Sequence, residues 1–132
     1  MVASLEDEII KYLKDKAGEG LIEIYKQRER RVFARIKPKA LRKTIQAIKE
    51  RYEKLRFMTI SAVDNGLDME YLYHFNIDGT VLTLRVTKPK EDSILESIAD
   101  IIPAANLIER EIADLFGVKL LNHPQPEHGL IL

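Results

Sequence analysis

A chain of 132 residues with 45% hydrophobic content is long enough for one domain with a real core and too apolar to stay disordered. It contains no cysteine, which excludes thiolate-ligated iron-sulfur clusters, cysteine zinc sites, disulfides and cysteine nucleophiles within it. The formal charge is zero, a poor match to nonspecific nucleic-acid binding, yet residues 1–60 hold 16 Lys/Arg against 9 Asp/Glu (+7) and residues 61–132 hold 5 against 12 (−7), a polarity that suits equally a solvated helix face with a few acidic turns or matching patches on a neighbour.

Ser4 is a candidate N-cap, with Asp7 three residues on and Leu5, Ile9, Tyr12 and Leu13 forming one apolar stripe before Gly18 and Gly20 stop the helix. Gly18-Glu19-Gly20 lacks the preceding strand and the remaining glycine of a dinucleotide fingerprint, so it reads as a helix stop. Leu21 to Tyr25 and Arg31 to Ile36 predict two strands around a polar turn, whose Arg28, Arg30 and Arg31 with Glu29 make a charged hairpin tip. Pro38 opens a second helix carrying Leu41, Ile45, Ile48, Tyr52 and Leu55 at helical spacing, with Arg42, Lys43, Lys49, Arg51 and Lys54 expected on its solvent face.

Phe57 to Val63 predicts a strand, Asp64-Asn65-Gly66 a turn with Asp64 capping its own backbone, and Met69 to Ile77 a strand with Tyr71, Tyr73, Phe75 and Ile77 in strict alternation. His74 falls on the polar face of that strand. Asp78-Gly79 is a hairpin signal, and Thr80 to Thr87 follows before Pro89 ends it. Ser97 can cap a short turn with Asp100, and a last helix runs from about Ala104 to Phe116, closed by Gly117. In that helix Ile108, Ile112 and Leu115 are expected to face the core and Glu109, Arg110, Glu111 and Asp114 the solvent, with Arg110 and Asp114 as an i, i+4 pair. The order predicts an α+β, two-layer fold: a mixed, mostly antiparallel sheet of about five strands, helices on one face, and an extended tail over residues 118–132.

The chemistry-bearing residues form no recognisable catalytic set. The serines lack a Gly-x-Ser-x-Gly elbow, and His123 and His128 straddle prolines instead of lying one helical turn apart. No apolar run approaches the roughly 20 residues that cross a bilayer. Glu6, Asp7 and Glu8 stand where a signal peptide would be basic and then apolar, so a soluble, cytoplasmic chain is expected. Charged residues at 32% without cysteine lean towards a thermophilic source. Pro124 and Pro126 cannot join a central ladder, so Leu130, Ile131 and Leu132 need burial in a groove, either of this domain or of a partner.

Glu109-Arg110-Glu111, then Asp114, Gly117, Asn122-His123-Pro124 and an apolar end resemble the signature of the thirty-kilodalton (C) subunit of respiratory complex I, a family that includes the corresponding subunit of energy-converting membrane-bound hydrogenases. Val63-Asp64, Leu72-Tyr73-His74-Phe75, Ser97-Ile98 and Ala104-Ala105-Asn106 precede it in the family's order. The resemblance implies a two-layer fold and a cofactor-free, non-catalytic assembly subunit. Its place would be the hydrophilic arm of an NADH:quinone oxidoreductase-like or hydrogenase-like complex, peripheral on the cytoplasmic face of the membrane.

The implied partners are the large catalytic subunit and neighbouring iron-sulfur subunits, with no nucleic acid and no direct membrane insertion. In that reading Glu109, Arg110, Glu111 and Asp114 make charge-assisted contacts with the partner, and Phe116 and Gly117 set the exit angle. Asn122, His123 and Pro124 then lead to Leu130, Ile131 and Leu132 as a strap. The alternative is a small stand-alone α+β metal-assisted hydrolase using His123 and His128; a homo-oligomeric adaptor with a swapped tail is a third arrangement.

Overall fold

A computed structural model describes residues 4–123. Helix α1 (Leu5–Ala17) starts where Ser4 Oγ accepts the Asp7 amide at 3.1 Å, the cap expected from sequence. A turn of 3-10 helix, Gly18–Gly20, leads into strands β1 (Leu21–Arg28) and β2 (Arg31–Ile36), which form an antiparallel hairpin. The Pro38–Ala40 turn passes so close to this entry that a Cβ on Gly20 would lie 2.2 Å from the Ala40 Cβ.

Helix α2 (Leu41–Arg51) is followed by β3 (Leu55–Asp64), β4 (Asp68–Ile77) and β5 (Thr80–Pro89). At the β4–β5 turn Asp78 and Gly79 both take positive φ, 47° and 93°, as a two-residue hairpin turn requires. The Asp64 turn also forms as expected, with Asp64 Oδ1 accepting the Gly66 amide at 2.9 Å.

The five strands lie in the order β1-β2-β5-β4-β3, antiparallel except for the parallel β2–β5 pair. That one parallel contact makes the sheet mixed, and it places the first hairpin beside the last strand of the central meander. The alternation in β4 holds: Met69, Tyr71, Tyr73, Phe75 and Ile77 are buried, while His74 lies on the other face between Ser61 Oγ (3.3 Å) and Thr83 Oγ1 (3.0 Å). Ile9 of α1 and Ile45 and Ile48 of α2 join Tyr73, Phe75, Leu82 and Leu84 in one apolar cluster that extends to Ile112 of the third helix. Helices thus cover one face, and the fold is the predicted α+β arrangement.

Two short strands have no counterpart in the sequence reading. β6 (Ile94–Glu96) and β7 (Lys119–Leu121) pair in parallel as a second, two-stranded sheet flanking α3 (Asn106–Phe116). The first residues of the expected tail are therefore a strand of this domain, because the Leu121 carbonyl accepts the Ser97 amide and the Ser93 carbonyl accepts the Lys119 amide, both at 2.8 Å. Helix α3 starts two residues later than expected, after a Pro103–Ala105 3-10 turn. Among the described residues no helix is long and apolar enough to cross a membrane.

Candidate functional site

The signature stretch folds as α3, a left-handed stop at Gly117 (φ 68°), and β7 running back along the helix to its first turn. The helix is rotated from the face its apolar spacing suggests: Ile112 is buried and Ile108 packs partly against the core as expected, but Leu115 does not. Glu109 is completely buried and Arg110 nearly so, while Leu115 is 79% exposed. The expectation that Glu109 and Arg110 face solvent and Leu115 the core is corrected, and the reason is polar. Where β6 ends, the Ser97 hydroxyl and the Ile98 amide lie inside the domain and need an acceptor. Glu109 supplies it: Ser97 Oγ donates to Oε1 at 2.6 Å and the Ile98 amide donates to Oε2 at 2.8 Å. Ser97 Oγ in turn accepts the Ala99 amide at 3.0 Å, so it caps its own turn as expected while binding the helix.

Burial pushes the Glu109 carboxyl above its usual range; the Ser97 and Ile98 hydrogen bonds and the Arg42 charge oppose that rise, and Asp100 adds to it. Behind it the Tyr73 hydroxyl is buried with no hydrogen-bond partner among the described residues, and desolvation, with the Glu109 charge, holds its pKa well above the ordinary tyrosine value. His123 closes the other side. Its Nε2 donates to the Asn106 carbonyl at 3.3 Å, since a carbonyl can only accept, and lies 4.0 Å from Glu109 Oε1.

The same segment is held from α2. Arg42 donates to the Ser97 carbonyl at 2.5 Å, binds both oxygens of Asp100 at 2.7 Å, and lies 3.2 Å from Glu96. Beside this guanidinium the Asp100 carboxyl sits below the usual aspartate range. Lys49 Nζ donates to the Ile101 carbonyl at 2.5 Å. Arg42, expected on a solvent stripe, is only partly exposed and reaches across to residues 96–100, while Lys49 stays exposed as expected with its ammonium on the Ile101 carbonyl; the carbonyls of that irregular segment lack ladder partners.

The other expected interface residues divide by exposure. Glu111 is half-buried; Asp114, Phe116 and Asn122 are exposed, Asn122 with φ 62°. Pro124, Leu130, Ile131 and Leu132, like His128, lie outside the described residues. The hydrolase alternative finds no support: His123 is buried against a carbonyl, and among the described residues no group of three or more His, Asp or Glu side chains could hold a metal ion. Sequence reasoning missed Tyr73 and Arg42 as parts of the site, since each meets it only through the tertiary fold. The ambiguity in the helix was visible: Ala105, Ile112 and Ala113 offer a second apolar stripe that includes Glu109.

These features define a two-layer α+β domain whose signature helix is anchored from within by a buried carboxylate. The chain belongs to the family described as the respiratory-chain NADH dehydrogenase 30 Kd subunit, whose pattern matches residues 34–131.

Over 47 residues it is 43% identical to the NADH-quinone oxidoreductase subunit 5 of Thermus thermophilus, covering 36% of this chain and 23% of that protein. Over 41 residues it is 44% identical to the C/D subunit of the NADH-quinone oxidoreductase of Methylococcus capsulatus, covering 31% of this chain and 7% of that protein. These matches thus span less than a quarter of each relative's length. The structure resembles a chain from the membrane-bound sulfane sulfur reductase, an archaeal respiratory membrane complex, with a TM-score of 0.83 and 27% identity over 98% of this chain and 78% of that one.

Proposed function

We propose that this chain is a non-catalytic, cofactor-free assembly subunit in the hydrophilic arm of an NADH:quinone oxidoreductase-like or energy-converting hydrogenase-like complex. It packs on the large catalytic subunit, beside iron-sulfur subunits that carry the electrons, and supports electron transfer coupled to ion pumping. Its place is peripheral, on the cytoplasmic face of the membrane. One observation carries the reading: the carboxylate of the signature that is best placed for chemistry, Glu109, is enclosed and hydrogen-bonded within the domain, while the opposite side of α3 is left apolar and acidic. A buried acid with both oxygens committed to Ser97 and Ile98 is a fastener, and the exposed face is what a neighbour would meet.

The C/D designation of the Methylococcus relative supports a larger subunit as the immediate partner, and the likeness to a chain of a respiratory membrane complex supports membership of such an assembly. In the proposed arrangement Glu111, Asp114 and Phe116 touch the partner and Gly117 sets the direction in which the chain leaves α3. Asn122 and residues 124–132, with Leu130 to Leu132 at their end, extend over the partner, whereas Glu109 and His123 act from inside by holding α3 and β7 together. The test is affinity purification of the tagged chain from its source membranes, with and without residues 124–132. Retention of a large subunit by the full chain and its loss on truncation are the expected results; equal retention by both forms overturns the role given to the tail.

A further inference from the structure

The side of α3 turned away from Glu109 forms, with the edge strand β3, a groove of about 330 Å³ lined by Phe57, Met58, Thr59, Leu107, Ile108 and Glu111, among others. Three of the ten exposed large hydrophobic residues among those described lie along this groove or one helical turn beyond it on the same side of α3: Met58 (51%), Leu107 (57%) and Leu115 (79%). Met58 is placed there by a register shift between Phe57 and Thr59, a bulge in the outermost strand of the sheet. Along the helix Leu107, Glu111, Asp114 and Leu115 recur at i, i+4, i+7 and i+8, so two leucines bracket two carboxylates on one stripe.

The charge is the more informative part. Among the described residues neither Glu111 nor Asp114 has an ion-pair partner, and the last turn of α3 carries no basic residue. Asp114 therefore adds its charge to the negative end of the helix dipole, where the final carbonyls already point. A helix stabilised for its own sake would carry Lys or Arg there. The arrangement disfavours a second copy presenting the same acidic stripe, and it is complementary to a surface that brings cations together with apolar side chains.

Resting on the assembly reading, we infer that the α3–β3 groove is the docking site for a partner-subunit segment that combines Lys or Arg with large apolar side chains. The apolar side chains enter between Met58 and Leu107 and the cations pair with Glu111 and Asp114. Hot-spot energetics favour such a site, because a central apolar contact excludes water from the charge pairs around it.

The test places a photo-crosslinking amino acid at position 107 of the full chain, crosslinks the assembled complex, and identifies the attached peptide by mass spectrometry. The parallel measurement compares complex retention by Leu107→Glu, Leu115→Glu and Glu111→Lys/Asp114→Lys with that of the unmodified chain. Since Leu107, Asp114 and Leu115 are exposed and Glu111 is only half-buried, circular dichroism and Tm of the isolated variants should match the parent. The expected results are a crosslink to a basic, apolar peptide of another subunit and a more than tenfold loss of retention in each variant.

A crosslink to a second copy of this chain, a crosslink to residues 124–132, or parental retention by all three variants overturns the inference. Parental retention would leave the assembly reading intact. Failure of that reading is distinguishable, because the unmodified chain would then retain no partner at all.

Discussion

Ser97 donates its hydroxyl hydrogen to Glu109 at 2.6 Å, joining the end of β6 to the middle of α3 through a contact that is buried on both sides. Together with the Ile98 amide it makes Glu109 the point where a short parallel strand pair, an irregular turn and the signature helix are fixed to one another. Losing the carboxylate leaves a buried hydroxyl and a buried amide without an acceptor. Glu109→Ala is expected to destabilise the domain by about 3 kcal/mol, whereas Glu109→Gln, which can still accept from Ile98 and meet Ser97, should cost about 1 kcal/mol. Urea denaturation of both variants checks the difference.

The pH dependence of the same residue has a definite sign. The folded-state pKa of Glu109 is raised, so its contribution to stability is fully present below the ordinary value of 4.5 and is lost as pH rises through the raised folded value. The Tm advantage of the parent over Glu109→Gln should therefore shrink as pH is raised across that window. Paired thermal scans that begin below that ordinary value and run upward would show this.

Tyr73 contributes a hydroxyl to the core that has no hydrogen-bond partner among the described residues. Removing a buried, unsatisfied polar atom without changing ring volume avoids its desolvation cost, so Tyr73→Phe should be neutral or stabilising by about 1 kcal/mol. A chemical denaturation midpoint at or above that of the parent is the expected outcome; a loss of more than about 1 kcal/mol would mean that the hydroxyl has a role in the fold.

Arg42 binds the Ser97 carbonyl, Asp100 and Glu96 at once. Asp100 is half exposed, and its ion pair is weakened accordingly by solvent, but the carbonyl bond is shielded. Arg42→Ala is expected to cost about 2 kcal/mol and to speed hydrogen exchange first at residues 97–102, before the five-stranded sheet is affected.

The close approach of Gly20 to Ala40 gives a steric prediction. A methyl group at position 20 would require the Pro38–Ala40 turn to move, and Gly20→Ala should destabilise by about 2 kcal/mol. The double variant Gly20→Ala/Ala40→Gly should recover part of that loss, as denaturation of the two proteins would reveal.

Much of the fold was legible because its signals are local. Alternation from Tyr71 to Ile77, the Asp78-Gly79 turn, the Ser4 cap and the stop at Gly117 each depend on a few neighbouring residues. β6 and β7 were not legible: three residues apiece are too few for a period to register, and their pairing joins Ile94 to Lys119 across the whole of α3. Leu115 is placed on the wrong side because Ile108, Ile112 and Leu115 form an apolar row as good as the buried one, with which it shares Ile112. What decided between them was a hydrogen-bond requirement at Ser97 and Ile98 that apolar spacing does not encode. Arg42 was assigned to solvent for a similar reason, since Asp100 lies 58 residues away in the chain.

The central claim is that this domain works as a fitted part of a larger oxidoreductase, and native mass spectrometry of the tagged chain recovered at low salt from its source membranes tests it most directly. The expected result is a particle containing this chain together with a large hydrogenase-like or quinone-reductase-like subunit and iron-sulfur subunits. Recovery of the intact chain alone, as a monomer or a self-associated oligomer, would contradict it.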